Sequence, residues 1–147
     1  MTAAVSDLQI RQAQADDLEE LRRMAAEALG PDVVAAGGAL QAPRTERVLG
    51  GDLVFVAEAG RHLAGYAAVS ERGGELVLDQ LVIAPTDEGV GVGHRLLDWV
   101  EGYGCSRELR AVRIAVEPGN ERARSFYARR GYLPGGDGLV IRELAHR

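Results

Sequence analysis

The segment Gly89-Val90-Gly91-Val92-Gly93-His94 carries the clearest chemical signature in this chain. It stands between an apolar, strand-like run and a helix-periodic one. Glycine lets a backbone turn tightly and approach a ligand with no Cβ in the way. The first N–H groups of the helix that follows have no internal acceptor, and the helix dipole favours an anion beside them. A phosphate or pyrophosphate is the ligand this arrangement predicts. A loop that merely joins strand to helix has no need of three alternating glycines. The spacing is Gly-x-Gly-x-Gly, not the Gly-x-Gly-x-x-Gly of dinucleotide folds, and the loop follows a fourth strand instead of opening the chain. Both points argue against a Rossmann domain.

A second constellation lies in Asn120-Glu121-Arg122-Ala123-Arg124-Ser125-Phe126-Tyr127-Ala128-Arg129-Arg130-Gly131-Tyr132. At about 100° per residue Asn120, Ala123, Arg124 and Tyr127 share one helix face. That face presents an amide, a small residue, a cation and a phenol. Taken singly, Asn120 reads as a helix N-cap and Tyr127 as an amphipathic core residue.

Other reactive residue types are bland. His62, His94 and His146 have no metal-ligand spacing, so no metal is expected. Cys105 follows a helix with no histidine near it in sequence and reads as an inert, partly buried thiol. No Gly-x-Ser-x-Gly elbow is present. Trp99 and Tyr103, four apart on one helix, are expected in the core or at a homodimer contact.

These residues need elements to position them. Leu8–Arg11 alternates as a first strand, and Asp16 offers an N-cap, with Glu19 three residues on, to a helix carrying Leu18, Leu21, Ala25 and Leu29. Gly30-Pro31 stops that helix. The Ala/Gly-rich stretch 32–51 reads as a surface connection with a short helix around Thr45–Leu49. Leu53–Ala57, Leu63–Val69 and Glu75–Ile83, joined by tight glycine-containing turns, form an antiparallel meander. After Pro85 come a helix over Gly93–Tyr103, a strand over Ala111–Val116, a helix over Glu121–Arg130 and strand material around Tyr132 and Leu139–Leu144. Helix between strands makes a parallel crossover. The expectation is one domain over 1–147, α+β, with a mixed sheet that is antiparallel in front and parallel behind.

Composition bounds the function. The chain has 147 residues, close to the ~150 that serve one domain. All 17 basic residues are arginine, which excludes a Walker-type phosphate loop and lysine Schiff-base chemistry. Against 22 acidic residues the net charge is −5, so nonspecific nucleic-acid binding has no electrostatic support. A single cysteine fits a reducing compartment, and neither a signal peptide nor an apolar run of ~20 residues is found. The chain reads as soluble and cytoplasmic, with no membrane or nucleic-acid partner.

Taken together, the two constellations narrow the field. Leu78-Asp79-Gln80-Leu81-Val82-Ile83-Ala84-Pro85, then Gly-x-Gly-x-Gly with Leu96-Leu97, then Asn-x-x-Ala-x-x-Phe-Tyr-x-x-x-Gly-Tyr, resembles the GNAT superfamily of acyl-CoA-dependent N-acyltransferases. The element order is similar from Leu8 to Leu144, and the specific motifs cover about Leu78–Tyr132. The resemblance implies a sheet splayed between strands 4 and 5 with the pantetheine arm of acetyl-CoA in the gap. It implies that Leu81, Val82 and Ile83 offer backbone groups to the cofactor. The amides from Val90 to His94, in the loop begun by Glu88 and Gly89, would hold the pyrophosphate, Gly91, Val92 and Gly93 among them. Asn120 would bond the pantetheine and Tyr127 would face the sulfur. The family usually places Gln or Arg where this chain has Glu88, and Arg95 or Arg124 is positioned to compensate.

The implied reaction transfers acetyl to an amine acceptor in a direct ternary complex. A phenol with a reference pKa of ~10 suits protonation of the departing thiolate, which makes Tyr127 the general acid. Asp79 on the fourth strand and Glu117 after the fifth are the alternative bases, directly or through water. A backbone N–H near Val82 would stabilise the oxyanion. The competing reading is a non-catalytic acyl-CoA-binding module, and beyond it a structural subunit of the same fold.

Overall fold

The computed structural model describes residues 8–27, 53–84, 87, 91–116, 119–136 and 138–144. Strand β1 is Leu8–Gln12, followed by a 3-10 turn at Ala15–Asp17 and helix α1 over 18–27. Then come β2 (Leu53–Ala59), β3 (His62–Arg72), β4 (Glu75–Ile83), α2 (Val92–Ser106), β5 (Ala111–Ala115), α3 (Glu121–Arg129), β6 (Leu133–Pro134) and β7 (Leu139–Glu143). Among the described residues seven strands form one mixed sheet in the order β1-β2-β3-β4-β5-β7-β6. β4 and β5 are its parallel pair, with α2 as the crossover between them.

The expected elements appear, four of them longer (β1, β2, β3 and α2), but the sheet is not parallel behind the crossover, where β5, β7 and β6 pair antiparallel. β2 runs past the expected Ala57 to Ala59, where Ala57-Glu58-Ala59 keeps alternating, and β3 runs past Val69 to Arg72, carried by its pairing with β4 as far as Glu75. Asp16 is not the cap of the first helix. A 3-10 turn precedes α1, and it is the Asp17 carboxylate that takes the Gln14 N–H (2.7 Å) and pairs with Arg11 (2.8 Å). Tyr132 lies just before β6 and not within a strand. The helix end at Gly30, the stretch 32–51 and the short helix at Thr45–Leu49 lie outside the described residues.

Apolar alternation gives the sheet two covered faces. On one, Leu96, Leu97 and Val100 of α2 and Tyr127 of α3 pack over Phe55, Ala67, Val69, Leu76 and Leu78. On the other, Leu21, Met24 and Ala25 of α1 pack on Val54, Val56, Tyr66, Ala68 and Val82. Fully burying a leucine is worth ~1.5–3 kcal/mol, so Leu96 and Leu97 bind α2 firmly to the sheet.

One irregularity shapes the site. Val69 faces Leu78 and Ala68 faces Gln80, so Asp79 is left over as a β-bulge. A bulge bends its strand and resets which residues face which side. Leu76 and Leu78 point to the α2 face before it, and Leu81 and Ile83 do so after it. The β4–β5 pairing ends at the same point, with Leu78 opposite Ile114. Beyond it β5 continues to Ala115, paired with Leu139 of β7, while β4 runs on to Ile83. The two strands part at the bulge, and the expected splay is present.

Candidate active site

The opening between β4 and β5 is lined by backbone. The Ala84 N–H donates to the Ala64 carbonyl (2.8 Å), so that residue points toward β3. Peptide groups alternate along a strand. Val82 therefore also turns its N–H and C=O toward β3, and Leu81 and Ile83 turn theirs toward the opening. Of the three residues expected to offer backbone groups there, Leu81 and Ile83 turn theirs to the opening and Val82 does not.

At the mouth of the opening stands the N-terminus of α2. Gly91 is its N-cap at φ 87°, in the left-handed region where glycine carries no Cβ penalty, and no side chain caps it. The first helical bond runs from the Arg95 N–H to the Gly91 carbonyl (3.1 Å). The N–H groups of Val92, Gly93 and His94 thus have no acceptor within the helix. Val92 reaches the sheet over Gly65, where an added Cβ would lie 2.7 Å from the Val82 oxygen and 3.2 Å from Val92 Cγ1. Gly65 was not singled out in sequence, since a glycine inside a strand gives no sign of what crosses it. Glu88, Gly89, Val90 and Glu117 lie outside the described residues.

Helix α3 closes the other side. The Asn120 Oδ1 accepts the Ala123 N–H (3.1 Å), so the residue is the N-cap its type predicts; its amide nitrogen is not used by that bond. The Tyr127 ring is not held apart from the core. It is 7% exposed and packs edge-on against Phe126 (5.3 Å) and Tyr132 (5.7 Å). Its hydroxyl has no hydrogen-bond partner among the described residues. Burial pushes its pKa up to about 12. Phe126 meets α2 directly, stacking on His94 (4.8 Å) and touching the position of Gly93. Arg124 lies half-buried in the first turn of α3, and Arg95 reaches the Leu8 carbonyl (3.4 Å) on the far side of α2.

The α1 side of the opening carries a polar group of its own. Ser70 follows the core residue Val69, so it faces the α1 side, and its hydroxyl donates to Asp79 Oδ2 (2.9 Å). Next to it the Tyr66 hydroxyl donates to Gln80 Oε1 (2.7 Å), and burial pushes the Tyr66 pKa upward. On β5 Arg113 pairs with Glu75 (2.9 Å). Asp79 is thus a carboxylate seated at the bulge, where the strands part.

One expectation fails: Cys105 is exposed, in the last turn of α2 and not beyond it. Of the pair expected in the core or at a dimer contact, Tyr103 packs against the core while Trp99 is 46% exposed; both meet Phe55, at 5.4 and 6.2 Å. They flank a hollow of about 460 Å³ on the outer face of α2, away from the opening.

A model of the acetyltransferase (GNAT) family matches residues 15–132. The chain belongs to the GNAT family. This GNAT chain is 30% identical over 59 residues to the streptothricin acetyltransferase of Escherichia coli, a match covering 40% of the chain and 34% of that protein. The match thus spans about a third of the relative's length. Its fold is similar to that of PaiA N-acetyltransferase from Thermoplasma acidophilum, solved in complex with coenzyme A (TM-score 0.75, 20% identity, 92% of this chain and 98% of that one). It is also similar to a GNAT-family acetyltransferase from Staphylococcus aureus Mu50 (TM-score 0.78, 14% identity, 94% and 99%). At these identities the structural likeness speaks for the fold alone. No helix among the described residues is long and apolar enough to cross a membrane.

Proposed function

We propose that this chain is an N-acetyltransferase that binds acetyl-CoA in the opening between β4 and β5 and passes the acetyl group directly to a cationic primary amine. The observation that carries this is the junction of a helix N-terminus with no side-chain cap and a strand edge whose outward backbone groups have no strand partner among the described residues. A long thioester with an anionic end fits both features at once: amide-like groups of its arm can pair with Leu81 and Ile83, and phosphate can take the N–H groups of Val92, Gly93 and His94. The amide nitrogen of Asn120 and the hydroxyl of Tyr127, neither with a partner among the described residues, lie on the same helix beside them. The Thermoplasma relative's coenzyme A complex agrees with this use of the fold.

The chemistry then follows from the residues. Asp79, on the α1 side, attracts an ammonium and takes the proton that leaves it neutral. The amine nitrogen attacks the thioester carbonyl carbon while an N–H of Leu81 or Ile83 holds the developing oxyanion. As the C–N bond forms and the C–S bond breaks, the nitrogen sheds its second proton to solvent and the Tyr127 hydroxyl gives its own to the sulfur. A proton relayed through solvent restores the phenol. A phenol raised to about 12 stays protonated at every working pH. The thiolate forming beside it is desolvated too, which raises its basicity in the same direction. Holding both reactants in place supplies much of the rate. Glu117 is the other carboxylate in reach by sequence, and Glu117→Gln against Asp79→Asn decides between them.

The test combines binding and turnover. Acetyl-CoA at a hundredfold excess over Kd should raise stability by about 2.7 kcal/mol, seen as a higher Tm. Thiol release against neutral, cationic and zwitterionic primary amines should then show turnover with cationic ones. Binding with no turnover on any amine would leave a non-catalytic acyl-CoA module; no binding at millimolar acetyl-CoA would end both readings.

A further inference from the structure

Helices α2 and α3 are tied by a polar network beneath the site. On α2, His94, Asp98 and Glu101 fall at i, i+4 and i+7, one face of the helix. Arg130, the C-cap of α3, lies along that face. It donates to Asp98 (2.6 Å) and Glu101 (2.9 Å), and its Nη1 meets His94 Nδ1 (3.2 Å). Glu101 is the hub. Its side chain is 12% exposed and also accepts from Arg142 (3.1 Å) and from the Tyr132 hydroxyl (2.8 Å). A carboxylate so far from water needs such partners, and charge-assisted bonds of this length fix whatever donates them.

What Glu101 fixes is the seat of Tyr127. Helix α3 ends in a Schellman motif: the Tyr132 N–H bonds the Tyr127 carbonyl (3.0 Å) and the Gly131 N–H bonds the Ala128 carbonyl (3.0 Å). The apolar contact that accompanies this motif is here ring on ring, Tyr127 against Tyr132 at 61°. Tyr127 is therefore held by Tyr132 through backbone and side chain. Tyr132, 2% exposed, is in turn pinned at its hydroxyl by Glu101.

We infer that Glu101 is a positioning residue for transfer: through the Tyr132 hydroxyl it sets the Tyr127 ring, and so the proton donor, relative to the α2 N-terminus. Glu101 touches neither Tyr127 nor the opening. It sits on the helix whose first turn faces the anion and orients the phenol on the neighbouring helix, joining the two ends of the ligand site through one carboxylate. The inference rests on the proposed acid role of Tyr127.

Two variants keep the test readable if one folds poorly: Glu101→Gln, which keeps an acceptor but loses the charge, and Tyr132→Phe, which removes one hydroxyl. Each should lower kcat on the order of 10-fold, because small misplacement of a reacting group is costly, and leave the acetyl-CoA Kd within about twofold. In a Tyr127→Phe background neither should lower kcat further, since residues acting through one another are not additive. Independent of any acceptor, tyrosine ring NMR of Glu101→Gln should show shifted Tyr127 resonances and faster ring flipping. Losses that multiply with that of Tyr127→Phe, an unchanged kcat, or a fallen Tm with unchanged kcat per folded molecule and an undisturbed Tyr127 ring would each overturn the positioning role. Full activity of Tyr127→Phe by itself would instead sink the acid assignment beneath it.

Discussion

Replacing Tyr127 by Phe isolates the proton donor more cleanly than any other change in this chain. The ring is 7% exposed and held between Phe126 and Tyr132, contacts a phenylalanine reproduces. The hydroxyl has no partner among the described residues, so its removal breaks no hydrogen bond within them. The stability change should stay below about 1 kcal/mol, the worth of one ordinary hydrogen bond. For a chain of this length that is a Tm shift within about 4 °C. General acid catalysis contributes typically 10²–10⁴-fold, so kcat should fall by that factor, or ~2.7–5.5 kcal/mol of barrier at 1.36 kcal/mol per decade. The assay is thiol release under saturating acetyl-CoA, with Kd measured separately by calorimetry. The pH profile adds a sign. A folded-state pKa raised to about 12 keeps the phenol protonated, with its native environment favouring that form, up to and beyond the ordinary ~10; the advantage is lost only as pH rises through 12. The wild-type profile should therefore rise as amine and base deprotonate, with no falling limb from Tyr127 below about pH 11. Unchanged kcat in Tyr127→Phe would refute the reasoning, and lost acetyl-CoA binding would make the residue structural.

Gly65→Ala would put a Cβ 2.7 Å from the Val82 oxygen; such overpacking typically costs ~1–3 kcal/mol, so Tm should drop by several degrees and acetyl-CoA affinity with it, as Val92 is pushed off the sheet. Asp17 has its pKa lowered chiefly by its hydrogen bonds with Arg11, so its stabilisation is full above the unfolded value of ~3.9 and fades as pH falls through the lower folded value. Thermal melts of Asp17→Asn should thus differ from wild type at pH 6 and converge with it in strong acid; an equal gap at all pH values would contradict this. Glu88→Arg should tighten acetyl-CoA binding at low salt, with the gain shrinking as ionic strength shortens the screening length toward ~8 Å at 0.15 M; calorimetry at two salt concentrations checks it.

The sequence announced elements better than contacts. Alternating strands, glycine turns and the crossover around α2 were legible because local pattern and burial agree, as in Glu75–Ile83, whose two ends were read without error. Asn120 as a cap was legible for the same reason, since one residue type satisfies a bond three residues on. The bulge at Asp79 was not, because the extra residue shows only when the partner strand is laid beside it. Nor was the direction of the Val82 peptide, which that register decides. The hub at Glu101 was hidden most deeply: its donors Arg130, Tyr132 and Arg142 lie 29, 31 and 41 positions away. Cys105 was misjudged because helical spacing fixes a face without saying whether anything covers it.

On the proposed function, acetyl-CoA lies along the edge of β4 that faces away from β3, with its anionic end on α2, and backbone amide NMR of the full chain during an acetyl-CoA titration reports on both contacts at once. The N–H signals of Leu81, Ile83, Val92, Gly93 and His94 should shift together and gain exchange protection, while Val82, already turned to β3, gains little. Saturable binding with those signals unmoved and shifts gathered elsewhere, for instance around the hollow at Trp99, would contradict it.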